Sequence, residues 1–502
     1  MHILAGYKNV LLKIELITNN TTAVRYMDNT YIESGAAFHL GAEYLEEYVD
    51  YDKLINSMSE SSKLFLENNQ QANFRSFIKR NSGNFNLSLL YKDFIFPLLS
   101  NKQVNYREME RILFRNIKNK MLKNIFLDRA VDLNNYPMDN FDKAVKEINE
   151  TYNVSTMDSA LLDVINNSTN GYSKIIETRS PDVNKIVFPV IDYYDETLNI
   201  MFSMTSEDSG KRYVSVGICE INTTNNQIIL RVRNHKGLNN QFNANPIMVK
   251  SVDSNYKEGD RIPRMSLLFL HDWFIKDILQ NRFNIQLEKH DIDAEKSSMF
   301  EMNRDLVDHV LKTPKEYLLK KTKQKSIIKD QVVETLQKIR TLKLNDVSRT
   351  DVEDKIFDIY LAKLILEKYT NTTLRNRAQE SGAFGYPTSI NFSGTENAKS
   401  KVRASGIRSP LVRDELYFDI QQSLVKSRQL GDWRIAWFKS YLYNDSTLPA
   451  SDLVQTSIHV KNDHFWITFL PKKLDSQMIE MVLKKIGEYL EGSRQVINHD
   501  SI

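Results

Sequence analysis

Between residues 184 and 236 the hydrophobic pattern leaves helical spacing for alternation, and this limits the fold more than any other feature of the chain. Segments 185–191 and 197–203 read as one hairpin; 212–218 and 227–233 read as a second, closed by the turn Asn222-Thr-Thr-Asn-Asn226. Four antiparallel strands set between two helical blocks predict an α+β protein, not a repeated βαβ enzyme.

The flanking blocks carry their own signals. Residues 1–16 read as a leading strand and not as a secretory leader, because Lys8, Lys13 and Glu15 interrupt the apolar run. A helical N-terminal region follows. Its best segment is 106–127, where Met109, Ile112, Leu113, Ile117, Met121 and Ile125 recur at helical spacing and Arg107, Arg111, Arg115, Lys118, Lys120 and Lys123 crowd the polar side. Ser155 with Asp158 reads as a further helix start.

After the meander, residues 265–283 read as a buried helix, and an αα-hairpin comes next. Thr313-Pro-Lys-Glu316 and Thr350-Asp-Val-Glu353 look like the two N-terminal caps of that hairpin, with Ile328, Val332, Leu336 and Ile339 as its stripe. The last segment reads helix 412–429, strands 432–443, 453–460 and 464–470, and helix 475–491, an αβββα-like domain. The expected division is therefore 1–175, 176–262, 263–375, a linker or functional loop at 376–411, and 412–502.

Composition removes several classes of function. One cysteine, Cys219, permits neither an internal disulfide nor a thiolate zinc site and suits a reducing, cytoplasmic setting. No run of about 18 apolar residues occurs, so no membrane span is expected. Only 16 glycines are present, and neither Gly-x-Gly-x-x-Gly nor a phosphate-cradling loop is among them. No His-Glu-x-x-His or Gly-x-Ser-x-Gly occurs, so neither cofactor nor metal is expected. Because the net charge is only +3, any polyanion site must be a local patch.

Two such patches stand out. Residues 312–343 hold ten Lys or Arg against Glu316, Asp330 and Glu334, which also describes a solvated helix face. Lys399, Lys401, Arg403, Arg408 and Arg413 come with no intervening acid, around the glycine-containing Ser405-Gly-Ile-Arg-Ser-Pro410, and flexible cations on a loop can follow a phosphate backbone. Trp433, Trp437 and Trp466, with Tyr441, Tyr443 and Phe465, would serve either as a base-stacking platform or as sheet core. His459 and His464 flank a hairpin turn without neighbouring acids or thiols to complete a ligand set, so no metal is expected there.

Arg304-Asp-Leu-Val-Asp-His309 resembles the Arg-to-His motif of the HEPN ribonucleases, a likeness of six residues. It implies Arg304 as phosphate clamp and His309 as general base in metal-independent RNA cleavage. The bland reading is an exposed helix with Arg304 paired to a carboxylate and His309 capping a turn. The αβββα order resembles that of double-stranded RNA-binding domains, and on that likeness Lys472 and Lys473 would contact phosphates. That family's Gly-Pro-x-His loop is absent, and the connection 444–452 carries Asp445 and Asp452.

The leading expectation is a cytosolic nucleic-acid-binding protein, an effector or sensor in antiviral or mobile-element conflict. A HEPN-like ribonuclease is the second. The third is a scaffold whose amphipathic helices dock a protein partner or build a homo-oligomer.

Overall fold

A computed structural model describes residues 40–233, 263–321, 346–393 and 399–499, apart from isolated positions, and a few positions between 330 and 338. The expected leading strand, the start at Ser155 and Asp158, the stripe at Ile328, Val332, Leu336 and Ile339, and the pair Lys472 and Lys473 lie outside the described residues. The fold is mixed α+β, in two compact units that meet in sequence between Glu288 and Lys289. Among the described residues no helix is long and apolar enough to cross a membrane.

The first unit is built on an antiparallel sheet of β1 (Asn124–Arg129), β2 (Gly171–Ser173), β3 (Ile186–Tyr194), β4 (Thr197–Asp208), β5 (Lys211–Asn222) and β6 (Gln227–Val232), in the order β2-β3-β4-β5-β6-β1. The meander expected from the alternation is β3 to β6. Asp195 and Glu196, both at positive φ, close its first hairpin. In the turn after β5 the Asn222 side chain accepts from the Thr224 and Asn225 amides.

Neighbouring strand residues point to opposite faces, and here both faces are covered. Val190, Met201, Val216 and Ile218 join a core made by helices over residues 42–122, among them α1 (Tyr51–Glu60), α2 (Asn68–Arg80) and α3 (Tyr106–Lys118). Phe188 and Phe202 turn the other way. Helices α4 (Met138–Ile148), α5 (Ser159–Asn166) and α6 (Pro263–Trp273) follow in the chain, and on that face the Phe202 ring centroid sits 5.7 Å from Trp273 of α6 and 5.1 Å from Phe274 just after it. Gly217 faces Phe202 across the β4–β5 ladder, and a Cβ at 217 would lie 2.1 Å from the ring.

Helix α3 starts on the Asn105 side chain and ends at Lys118, so Met121 and Ile125 are not on it; Ile125 belongs to β1. Its cations also differ from expectation. Arg107 and Arg111 reach Asp192 on β3 at 2.9 and 3.7 Å, and Lys118 reaches Glu220 on β5 at 2.6 Å, where Arg231 of β6 joins at 3.2 Å. Burial would raise the Glu220 carboxyl, but Arg231 and Lys118 hold it below its usual range. On the same helix Glu110 is wholly buried and accepts from the Ile175 and Ile176 amides at 2.6 and 3.1 Å. Burial and the nearby Glu177 push its carboxyl up to about 7.

A second buried pair joins β1 to α6. His271 Nε2 lies 2.8 Å from Asp128 and its ring stacks on Phe126 at 4.5 Å. Burial pulls the imidazole down, but the Asp128 and Asp272 carboxylates more than offset this and raise it to about 9.

The second unit holds the antiparallel sheet β11-β10-β9-β7-β8, from β7 (Gly385–Ser393), β8 (Lys399–Arg403), β9 (Asp432–Phe438), β10 (Leu453–Lys461) and β11 (His464–Phe469). Its longer described helices are α7 (Ile292–Lys321), α8 (Asp346–Lys368), α9 (Asn371–Glu380), α10 (Glu415–Ser427) and α11 (Ser476–His499). Ile390, Val402, Trp433, Ile435, Trp437, Ile458 and Ile467 are buried on one sheet face, and Phe384 bridges Trp437 to Tyr489 of α11.

Three expectations change in this unit. Thr313 and Pro314 lie inside α7, not at a helix start: its buried stripe of Leu306, Val307, Val310 and Leu311 continues to Leu318, and that burial carries the helix through the proline. Thr350 likewise lies inside α8. The segment 376–411, read as linker or loop, holds the end of α9 and the β7–β8 hairpin, whose alternation is broken by a bulge between Pro387 and Ser389. The αβββα order is present, yet β9 pairs with β7 as well as β10, so this sheet is not the three-stranded one the likeness implies.

Gly217→Ala should cost about 1–3 kcal/mol in denaturant unfolding, by overpacking against Phe202, and Phe202→Leu should restore part of the loss. The His271–Asp128 pair predicts a pH slope. An imidazole raised from 6.5 to about 9 contributes stability that is complete below pH 6.5 and lost as the pH climbs to 9. The unfolding midpoint should fall over that window in the parent protein, and an Asp128→Asn variant should show a flatter profile.

Candidate nucleic-acid interface

Among the described residues strand β8 is at one end of the second unit's sheet and pairs with β7 alone. Lys401 and Arg403 are exposed on one face and Val402, between them, is buried on the other, as the two-residue period requires. Register extends that face across the sheet. Lys401 is opposite Asn391, which is opposite Asp432; Arg403 is opposite Ser389, which is opposite Arg434. Asp432 is already engaged, 3.2 Å from His459 and 3.4 Å from Asn391.

Arg408 is exposed in the turn after β8, and buried groups hold that turn. Tyr386 donates its hydroxyl to the Ile407 carbonyl at 2.8 Å, Arg375 donates to the Arg408 carbonyl, and Ser409 donates to Asn371 at 3.2 Å. Burial raises the Tyr386 phenol above its ordinary range, against the pull of Arg375 and Arg408, so it remains a neutral donor. Lys401, Arg403 and Arg408 make no ion pair with a described carboxylate. Arg413 differs: its guanidinium donates to the Ile365 carbonyl at 2.7 Å, near the end of α8, and serves the fold. Lys399 is the first residue of β8.

The structure does not bring Arg304 and His309 together. Both are on α7, and five residues place them about 140° apart around the helix. Arg304 is paired to Glu301, and His309 Nδ1 is 3.1 Å from the Ser381 hydroxyl just after α9, the bland arrangement. Trp433, Trp437 and Trp466 are buried, as sheet core. The described part of 312–343 pairs Lys315 with Asp308 and Lys338 with Glu334. His459 stacks on Trp466 at 4.6 Å and faces Asp432.

The supporting residues Arg375, Tyr386 and Asn391 have no mark in the sequence. Arg434 does: it alternates with Trp433 and Ile435 in a strand, which places it on the polar face.

Arg375→Ala removes the donor under the Arg408 carbonyl. Amide hydrogen exchange should quicken over residues 404–410 while β10 and β11 keep their protection. No protein-family model, no curated protein and no solved structure matches this chain.

Proposed function

We propose that the protein binds nucleic acid through the exposed cations of β8 and of the turn that follows. One observation carries this reading: Lys401, Arg403 and Arg408 are exposed and free of described carboxylate partners, the first two on a strand paired to β7 and the third in a turn that buried Arg375 and Tyr386 hold by hydrogen bonds. With a net charge of only +3, the chain as a whole exerts little pull on a polyanion, so attraction must come from such a patch. Long cations beside amide and hydroxyl groups are the side chains that contact phosphates and base edges.

Three phosphate contacts would give a salt slope that weakens binding about fortyfold between about 50 and about 200 mM salt. Fluorescence anisotropy with labelled DNA and RNA, single- and double-stranded, measures it. A Lys401→Glu, Arg403→Glu, Arg408→Glu variant should lose that binding with its melting curve unchanged. Salt-independent binding, or a triple variant that binds as the parent does, removes the reading.

A further inference from the structure

We infer that Glu110, Glu177 and the Tyr106 hydroxyl between them bind a proton, and that this proton latches the segment after β2 onto α3. The Tyr106 phenol oxygen meets both carboxylates: it lies 3.1 Å from Glu110 Oε1 and is hydrogen-bonded to Glu177 Oε2. A phenol has one proton to donate, and an ionised carboxylate can only accept. Two such contacts to one hydroxyl therefore need a second proton. One of the two carboxyl groups carries it and donates to the phenol oxygen, while the phenol donates to the other.

Counting charge gives the same answer. Glu110 is wholly buried, and the Glu177 and Lys174 side chains are only 5% and 9% exposed. Lys174, 3.9 Å from Glu177 Oε1 and 4.2 Å over the Tyr106 ring, is the one cation paired with either carboxylate among the described residues. Two carboxylates against one ammonium leave a buried negative charge, and a group so placed takes up a proton instead of staying ionised. The other groups turned towards the cluster bring no positive charge. Ser173 donates its hydroxyl to Glu110 at 3.2 Å, and burial keeps the phenol of Tyr44, in the helical turn Ala42–Tyr48, neutral. Arg107 and Arg111 of α3 are engaged by Asp192 on β3.

The latched segment is short and has a second attachment. Glu110 accepts from the Ile175 and Ile176 amides, and the Ile176 carbonyl accepts from the Gly41 and Ala42 amides at 2.7 and 3.2 Å. Gly41 lies so near the Glu177 carbonyl that a Cβ would stand 2.5 Å from it. When the proton leaves to solvent, two like charges face each other across one hydroxyl. Their repulsion falls on residues 173–178 and on the 41–42 backbone fastened to them. Burial and Glu177 raise the Glu110 carboxyl from 4.5 to about 7, so the stabilisation that the proton brings is complete below pH 4.5 and is lost as the pH climbs to about 7.

The test follows the full chain by infrared spectroscopy and amide hydrogen exchange between about pH 6 and about pH 8, where exposed carboxylates stay ionised. The parent should show the carbonyl stretch of a protonated carboxylic acid at the lower pH and lose it at the higher. Exchange at Ile175 and Ile176, corrected for its intrinsic rate, should quicken at least about tenfold over that range. In Glu177→Gln the side-chain amide donates to the phenol in place of the shared proton, so the band should be absent and the added pH dependence of exchange should vanish. The His271–Asp128 pair is present in both proteins and cancels in that comparison. Lys174→Met removes the cation and should move the transition to higher pH, which a merely structural cluster would not do. Absence of the band in the parent, a band that Glu177→Gln keeps, equal pH dependence of exchange in those two proteins, or a transition that Lys174→Met leaves in place overturns the inference.

Discussion

Asp192 and Glu220 lie under a helical layer on the sheet of the first unit, and two carboxylates taken out of water there must be neutralised. An unpaired buried ion costs several kcal/mol, more than any one apolar contact returns. Helix α3 answers both. Its apolar stripe of Met109, Ile112, Leu113 and Ile117 enters the core, while Arg107, Arg111 and Lys118 descend along the adjoining side to the strands. The stripe specifies that the helix is buried, and the cations specify where along the sheet it sits. A shift of one turn would strand at least one carboxylate. Arg111 adds a contact over the Tyr194 ring at 4.0 Å, which ties the helix to the end of β3.

The second unit covers one face of its sheet with apolar side chains and leaves polar groups on part of the other. Its arginines divide accordingly. Arg375 and Arg413 donate to backbone carbonyls and are spent on holding the chain, whereas Arg403 and Arg408 reach solvent. The same side-chain chemistry serves scaffold in one place and surface in another, and the choice is made by what lies within hydrogen-bond reach. A rigid mount matters for a phosphate site, because a preplaced cation loses less freedom on binding than one at the tip of a loose loop.

The four strands of the meander were legible because their alternation is local and nearly unbroken from Ile186 to Val232. The roles of Arg107, Arg111 and Lys118 were not, since periodicity marks the polar side of a helix but cannot report a carboxylate 85 or 102 residues away. Thr313-Pro-Lys-Glu316 misled for a related reason: a cap signature is local, and the burial of Leu311 and Leu318 on either side outweighed it. The β7–β8 hairpin was hidden by shortness and by the bulge after Pro387, which shifts the alternation by one. The candidate site was half legible. The exposed cations stood out as an acid-free run, but the division of labour between Arg403 and Arg413 depends on a carbonyl of α8 that no spacing reveals.

Among the described residues β8 is a terminal strand, which leaves one row of backbone donors and acceptors open to a second copy of the chain that extends the sheet by pairing with it. Lys401 and Arg403 stand guard there, because joining two such edges would crowd like charges together. Whatever they contact, the pair therefore also keeps molecules apart, and trimming both to neutral residues would trade solubility for self-association in a way that exchanging them for acids would not.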